Sequence, residues 1–252
     1  MGIFMSRNEV YDTLTKYGIY PSGEIAAFSD VGEIFKLCRF FDQGKLVSFE
    51  RPDAYIKIEN EILIIEHFAI DGYDTFGDGG SKLKRNENEM QKEFDKISAT
   101  TDGVHATKPL GINNSYDGFL TNCKTRFNHH YEQIESYKKN LLEKHIANAT
   151  TKFTVCFLMD EISPLGTLTY DGEKICPVCL AKSKEFLEYF ESKKDVDWII
   201  SAVMLSDGLK PYFFSQNEIS ECNKSALDYA AFQFLSSDPM RTDFKILIPN
   251  KE

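Results

Sequence analysis

The strongest constraint on the fold is a pair of strand-like runs that are too close in sequence to avoid pairing with each other. The runs DAYIKI and EILIIEHFAI meet at the polar residues Glu59, Asn60 and Glu61, and both are rich in residues that favour strands. The pattern predicts a β-hairpin. With Asn60 and Glu61 as a two-residue turn, Tyr55 is expected to face Glu66 across the hairpin.

Alternation along the strands assigns the side chains of this hairpin to two faces. One face is predicted to carry Asp53, Tyr55, Lys57 and Glu66. The other is predicted to carry Ile56, Ile58, Leu63, Ile65 and His67. Asp53 and Glu66 become diagonal neighbours whose carboxylates can reach one hard divalent cation. Mg²⁺ or Mn²⁺ there would offset their repulsion and activate water beside a phosphate, which phosphodiester hydrolysis requires.

The rest of the chain alternates predicted helices with predicted strands. Helices are expected at 6–17, 30–42, 86–99, 116–147, 181–193 and 218–235, and further strands at 45–50, 152–160, 197–205 and 245–249. Glycine- and aspartate-rich sequence predicts a loop over 71–85, and a second loop is expected to extend to about 114. Without an internal repeat or a proline-rich linker, the chain is expected to form one α/β domain over 1–252.

Composition excludes whole-chain disorder, because a 252-residue chain with 42% hydrophobic residues can bury a core. The longest apolar run, Val196 to Leu205, is about half of the roughly 18 residues that a membrane helix needs. The N-terminus shows no secretory leader, so we expect a soluble cytoplasmic protein with no membrane partner. The net charge of −10 repels polyanions overall, but local lysine clusters leave a nucleic-acid partner open.

Three elements in order make the chain resemble a known family. Pro52-Asp53 is followed by Glu66 on the next predicted strand, and Gln133-Ile134-Glu135-Ser136-Tyr137 follows on a helix before the predicted strand 152–160. This order resembles the PD-(D/E)XK nuclease superfamily, many of whose exonuclease-like members carry Gln-hydrophobic-x-x-Tyr. The resemblance covers about 30–160. It implies a restriction-endonuclease-like mixed central sheet flanked by helices, with 161–252 as a C-terminal α/β extension.

The resemblance also implies a function and a set of residues. It implies a divalent-metal-dependent nuclease that hydrolyses DNA or RNA with Mg²⁺ or Mn²⁺. The implied site residues are Asp53, Glu66, Gln133 and Tyr137, with Asp53 and Glu66 as metal ligands. A further glutamate on the preceding helix often assists, for which Glu33 is the first choice and Glu24 the second.

The chain departs from the family at the motif lysine. Phe68 stands two positions after Glu66, where it can neither orient a water nor offset charge on phosphate. Lys57, on the predicted face of Glu66, is the first candidate for a substitute, and Lys82 or Lys84 could reach in from the loop. The alternative function is a non-catalytic protein of the same fold that binds nucleic acid or a protein partner.

Two further groups of polar residues carry separate hypotheses. Cys176-Pro177-Val178-Cys179 could be half of a zinc site or a thiol-disulfide centre, and two packed cysteines are the alternative. A complete zinc site would need distant ligands, because the sequence has no second cysteine pair. Helical spacing places His129 on the face of Gln133 and Tyr137, and the pair His129-His130 is not expected to bind a metal.

Overall fold

The structure is a computed structural model that describes residues 9–16, 26–27, 31–70, 92, 109–110, 116–161, 168–171, 174–177, 179–205, 208–224, 226–229, 233–234 and 242–243. The predicted strand 245–249, the loop 71–85 and, apart from Lys92, the helix 86–99 lie outside these residues. So do Glu24, Lys82 and Lys84.

Helices and strands alternate along the described chain. The helices are α1 (Glu9–Lys16), α2 (Val31–Gln43), α3 (Tyr116–Tyr131), α4 (Ile134–Glu143), α5 (Lys184–Glu191) and α6 (Ile219–Lys224). The strands are β1 (Ala26–Ala27), β2 (Leu46–Ser48), β3 (Ala54–Ile58), β4 (Glu61–Ile70), β5 (Pro109–Leu110), β6 (Lys152–Glu161), β7 (Leu168–Asp171), β8 (Lys174–Pro177), β9 (Trp198–Leu205), β10 (Gly208–Ser215), β11 (Gln233–Phe234) and β12 (Thr242–Asp243).

Within the described residues, seven of these strands form one mixed sheet in the order β1-β10-β9-β6-β4-β3-β2. β2, β3 and β4 are antiparallel neighbours, and β4, β6 and β9 are parallel. β4 is buried on both faces because helices cover the sheet on either side. The fold is therefore mixed α/β with a sheet flanked by helices, as the sequence predicts.

Two hydrophobic clusters line the two faces of this sheet. The cluster under α3, α4, α5 and α6 takes Ile62, Ile64 and Phe68 from β4. The cluster under α1 and α2 takes Leu63 and Ile65 from the same strand. Successive β4 residues thus feed different cores, as strand alternation requires. None of the helices in the described chain is both long and apolar enough to cross a membrane.

The hairpin forms with a register that differs from the predicted one by two residues. Its turn is Glu59-Asn60, so that Tyr55 faces Ile64 rather than Glu66. Glu59 adopts a φ of 49°, and Asn60 Nδ2 donates to Thr150 O at 2.7 Å, which holds the turn one residue earlier than expected. Because a shift of two preserves strand alternation, the predicted assignment of residues to faces is confirmed.

A helical crossover connects the parallel strands β4 and β6. The predicted single helix over 116–147 is instead two helices, α3 and α4, separated by a turn at Glu132 and Gln133. The buried stripe continues across this turn, from Phe127 on α3 to Ile134 and Leu141 on α4. Both helices therefore pack their apolar sides on the same face of the sheet.

The C-terminal third differs more from its predicted structure. α5 is shorter than the predicted helix 181–193, and the predicted helix 218–235 is reduced to α6. Part of that segment, β11, pairs instead with β7. β10 has no counterpart among the predicted strands because Pro211 and Gly208 interrupt its apolar pattern. β9 and β10 extend the central sheet on the side away from the hairpin.

Gly44, which ends α2, offers a test of how closely this helix packs on the sheet. A Cβ at Gly44 would overlap Ile56 Cγ2 and lie 2.9 Å from the backbone oxygen of Phe40. We expect Gly44→Ala to lower the free energy of unfolding by about 1–3 kcal/mol, as overpacking does. Urea denaturation measures the change. The exposed neighbour variant Gln43→Ala should stay within about 0.5 kcal/mol of the parent, and equal stability of the two variants would contradict the packing.

Candidate functional site

The centre of the candidate site is the carboxylate of Glu66, whose residue is only 6% exposed. Its Oε1 accepts a hydrogen bond from the Tyr137 hydroxyl at 2.8 Å and lies 2.8 Å from His130 Nδ1. Its Oε2 accepts from the backbone N–H of Asp53 at 3.2 Å. Three donors from two helices and the neighbouring strand therefore compensate the cost of burying this acid.

Asp53 and Glu66 lie across the end of the hairpin, and each carboxylate accepts a hydrogen bond from a backbone N–H of the opposite segment. The backbone pairing of β3 with β4 ends at Ala54 and Ile65. One step further, Asp53 Oδ2 accepts from the backbone N–H of His67 at 2.8 Å, while Glu66 accepts from the N–H of Asp53. The two carboxylates thus take the place of backbone acceptors, and the structure brings the predicted pair together.

Tyr137 reaches Glu66 from α4 as a permanent hydrogen-bond donor. Burial raises the pKa of its hydroxyl well above the ordinary value, and the negative charges of Glu66 and Asp53 raise it further, with Arg51 opposing. Tyr137 therefore keeps its proton. Asn140, one turn later on α4, donates to the backbone oxygen of Arg51 at 3.2 Å and ties the helix to the segment that carries Asp53. Sequence analysis did not single out Arg51.

His130 reaches Glu66 from the end of α3 and stacks on Phe68. The two ring centroids are 4.7 Å apart and the ring planes are 7° from parallel. Phe68 is 4% exposed and also packs edge-on against Phe127 and Phe157. The position two residues after Glu66 is thus part of the aromatic core and faces the imidazole.

His130 was missed because the sequence analysis placed its neighbour on the functional face. In the structure His129 is exposed, whereas the side chain of His130 is 18% exposed and contacts Glu66. Seven residues separate His130 from Tyr137, which is close to two helical turns. The sequence carried this signal. A seven-residue spacing aligns His130 with Tyr137 along one side of a helix more closely than the eight-residue spacing aligns His129 with Tyr137.

Gln133 lies beside the site at the N-terminus of α4. Its backbone N–H donates to His130 O at 3.1 Å, and its carbonyl accepts from Tyr137 N at 2.9 Å. Its side chain is half-buried and does not cap the helix. The structure therefore places Gln133 between the two residues that bind Glu66, and its backbone connects them.

Lys57 does not reach the carboxylate pair, which corrects its predicted place as a substitute lysine. Its side chain is on the predicted face, but its Nζ donates to Ile146 O at 2.6 Å. Four residues of extended chain separate it from Asp53, about 13 Å along β3. The corrected turn moves Lys57 opposite Ile62 and away from Glu66.

Glu33 lies on the opposite face of the sheet, which corrects its predicted place beside Asp53 and Glu66. Its Oε2 accepts from Trp198 Nε1 at 2.9 Å and from Ser215 Oγ at 3.3 Å, in the layer covered by α2. Lys36, one helical turn later, donates to its Oε1 at 2.5 Å. Glu33 therefore links α2 to β9 and β10.

The cysteine hypothesis involves residues in the core. Cys179 is 6% exposed, and its backbone N–H donates to the Tyr229 hydroxyl at 3.2 Å. Cys222 is 2% exposed, and burial raises the pKa of its thiol. The side chain of Cys176 lies outside the described part of the chain, so the structure does not describe the pair as a whole.

No group of three or more His, Cys, Asp and Glu side chains within the described ranges is arranged to hold a metal ion. Comparisons of the chain with family models, with curated proteins and with solved structures gave no match.

Glu33 generates a prediction about stability and pH. Burial raises its pKa, but donors at Lys36 and Trp198 outweigh that effect, so the pKa is lowered from its ordinary value of 4.5. A lowered folded-state pKa adds stability above pH 4.5 that is lost as pH falls through the folded-state pKa. Glu33→Gln should lower the free energy of unfolding by about 1.5–3 kcal/mol at pH 7. The variant should also lose less stability than the parent as the pH falls. Urea denaturation between pH 3 and pH 7 measures both.

The matched control for Glu33 is Glu143→Gln. Glu143 is exposed and its oxygen lies 3.6 Å from Lys139 Nζ on the same helix. Exposed pairs contribute about 0–1 kcal/mol, so this variant should stay close to the parent at every pH. Equal losses in the two variants would contradict the role given to Glu33.

Proposed function

We propose that the protein is a divalent-metal-dependent nuclease that hydrolyses phosphodiester bonds in DNA or RNA. The observation that carries the proposal is the proximity of the Asp53 and Glu66 carboxylates at the end of the hairpin, where Glu66 accepts from the Asp53 N–H and Asp53 accepts from the N–H next to Glu66. Both carboxylates accept from backbone N–H groups where the β3–β4 pairing ends, and their charges are left close together. A buried Glu66 beside a half-buried Asp53 is explained by a cation that the two acids share.

The donor set suits a hard cation. Asp53 and Glu66 offer carboxylate oxygens, the ligands that Mg²⁺ and Mn²⁺ prefer. Mg²⁺ binds through one or two protein carboxylates and retains several waters, so it needs no third acid from the chain. When bound, it would polarise a phosphate oxygen and lower the pKa of water.

The other residues would then hold the reacting groups in place. Tyr137 and His130 fix the Glu66 carboxylate, and Asn140 fixes the backbone that precedes Asp53. Arg51 is exposed and close enough to lower the pKa of Tyr137, so its charge is available to a phosphate that approaches Asp53. The protein thus supplies positive charge next to the acids despite its net negative charge.

The order of elements also supports the proposal. α2 is followed by the antiparallel strands β2, β3 and β4, then by α3 and α4, and then by β6 parallel to β4. Asp53 immediately precedes the second of these strands and Glu66 lies on the third. This is the arrangement that the resemblance to PD-(D/E)XK nucleases implies, and we propose the restriction-endonuclease-like fold on that basis.

A second candidate is a non-catalytic protein of this fold that binds nucleic acid or a protein partner. Phe68 favours it, because the position implied for a catalytic lysine holds a side chain that is 4% exposed among aromatic rings. Lys57, the candidate substitute for that lysine, donates instead to the backbone oxygen of Ile146. The two candidates differ in one observable: the first cuts a phosphodiester chain and the second only binds.

The experiment is a cleavage assay with single- and double-stranded DNA and RNA in Mg²⁺ or Mn²⁺. The wild type should cut at least one of these, and chelation of the metal should stop it. Asp53→Asn keeps an oxygen for the His67 N–H but loses the charge, so we expect cleavage to fall about 10²- to 10³-fold, several kcal/mol of barrier. Thermal melting of the variant shows whether the hairpin end survives.

The control variant is Asp42→Asn, an exposed aspartate at the end of α2 in the layer opposite to Glu66. It should cut as fast as the wild type. Binding of nucleic acid without cleavage under every metal condition would support the non-catalytic candidate. Cleavage that survives in Asp53→Asn would overturn the assignment of this site.

A further inference from the structure

The two oxygens of Glu66 have different numbers of donors. A carboxylate oxygen has two lone-pair sites. Both sites of Oε1 are used, by Tyr137 and by His130, at 2.8 Å each. Oε2 has one donor among the described residues, the Asp53 N–H at the longer distance of 3.2 Å. The oxygen with remaining capacity is therefore the one beside Asp53.

We propose that His130 is a positioning residue for the metal site: with Tyr137 it holds Oε1 of Glu66 and so presents Oε2, beside Asp53, to the cation. This inference rests on the proposed function and adds to it the group that orients a ligand. Groups that orient a metal ligand typically change metal affinity or activity 10- to 100-fold when they are removed. His130 would act in this way through Glu66, without binding the metal itself.

The tautomer of His130 follows from its partner. Nδ1 points at a carboxylate oxygen that also accepts from Tyr137, so the proton must lie on Nδ1 for the contact to be attractive. Tyr137 OH and His130 Nδ1 are 3.5 Å apart, so the two donors converge on Oε1 and do not bind each other strongly. Nδ1–H is therefore the form in which His130 can orient Glu66.

Phe68 holds the imidazole in this orientation. A ring stacked at 4.7 Å and 7° from parallel restricts rotation of His130 about its side-chain bonds, and Phe157 lies edge-on to the same imidazole at 6.5 Å. Phe68 is itself held by the core. The position that lacks a lysine thus has a role: its aromatic ring supports the residue that orients Glu66.

The experiment measures Mn²⁺ affinity, by titration calorimetry, together with cleavage. His130→Ala removes the donor and should weaken Mn²⁺ binding about 10- to 100-fold. His130→Asn places a donor near the position of Nδ1 and should retain affinity within about threefold, whereas His130→Gln extends its amide past that position and should lose affinity like alanine. His129→Ala, an exposed neighbour on the same helix, should bind Mn²⁺ like the wild type.

The difference between the asparagine and glutamine variants keeps the test valid if His130→Ala unfolds, because these two have equal polarity and nearly equal bulk. A purely structural histidine would not distinguish them in Mn²⁺ affinity once their melting temperatures agree. A second readout needs no metal: ¹⁵N spectra of the imidazole should show the Nδ1–H tautomer in the wild type and a mixture in Glu66→Gln.

The outcomes separate this inference from the proposed function. Wild-type protein that neither binds Mn²⁺ nor cuts nucleic acid overturns the metal site and with it the role of His130. Wild-type protein that binds Mn²⁺, with equal affinity in His130→Ala, overturns the positioning role alone. Weaker Mn²⁺ binding in His130→Ala and His130→Gln, with retained binding in His130→Asn, supports the positioning role.

Discussion

The arrangement of the hairpin and the crossover helices depends on the burial of one carboxylate in the middle of the sheet. Glu66 lies on β4, which has strands on both sides and helices on both faces, so only 6% of the residue is exposed to water. A buried acid without partners would cost several kcal/mol. The chain supplies those partners from three places, and each one fixes an element: Asp53 the start of β3, His130 the end of α3, and Tyr137 the first turns of α4.

The hairpin and its faces could be predicted because alternation of apolar residues is a local property of the sequence. The register could not, since it depends on the left-handed conformation of Glu59 and on a contact between Asn60 and Thr150, which are distant in sequence. A two-residue error left the faces correct but moved the expected neighbour of Glu66 from Tyr55 to Asp53. The acid pair was therefore predicted as diagonal, whereas it is directly opposed.

The candidate site could be predicted only where the residues are on elements with a clear pattern. Asp53, Glu66 and Tyr137 meet as expected, but Glu33 and Lys57 do not, because each has a stronger partner elsewhere: Trp198 for the first and the Ile146 carbonyl for the second. His130 was missed because its neighbour His129 was expected to face inward. His130, which the sequence analysis missed, stacks on Phe68, which stands where the resemblance implies a lysine.

The alternation of Glu66 and His67 on β4 has a consequence for how the chain finds its pairing. A slip of β4 by one residue would exchange every side chain between the two cores. Glu66 would then face the layer of Val10 and Leu14 and lose its contacts with Tyr137 and His130. Such a misaligned sheet would carry a large desolvation penalty, so the acid discriminates against wrong strand alignments as well as serving the site.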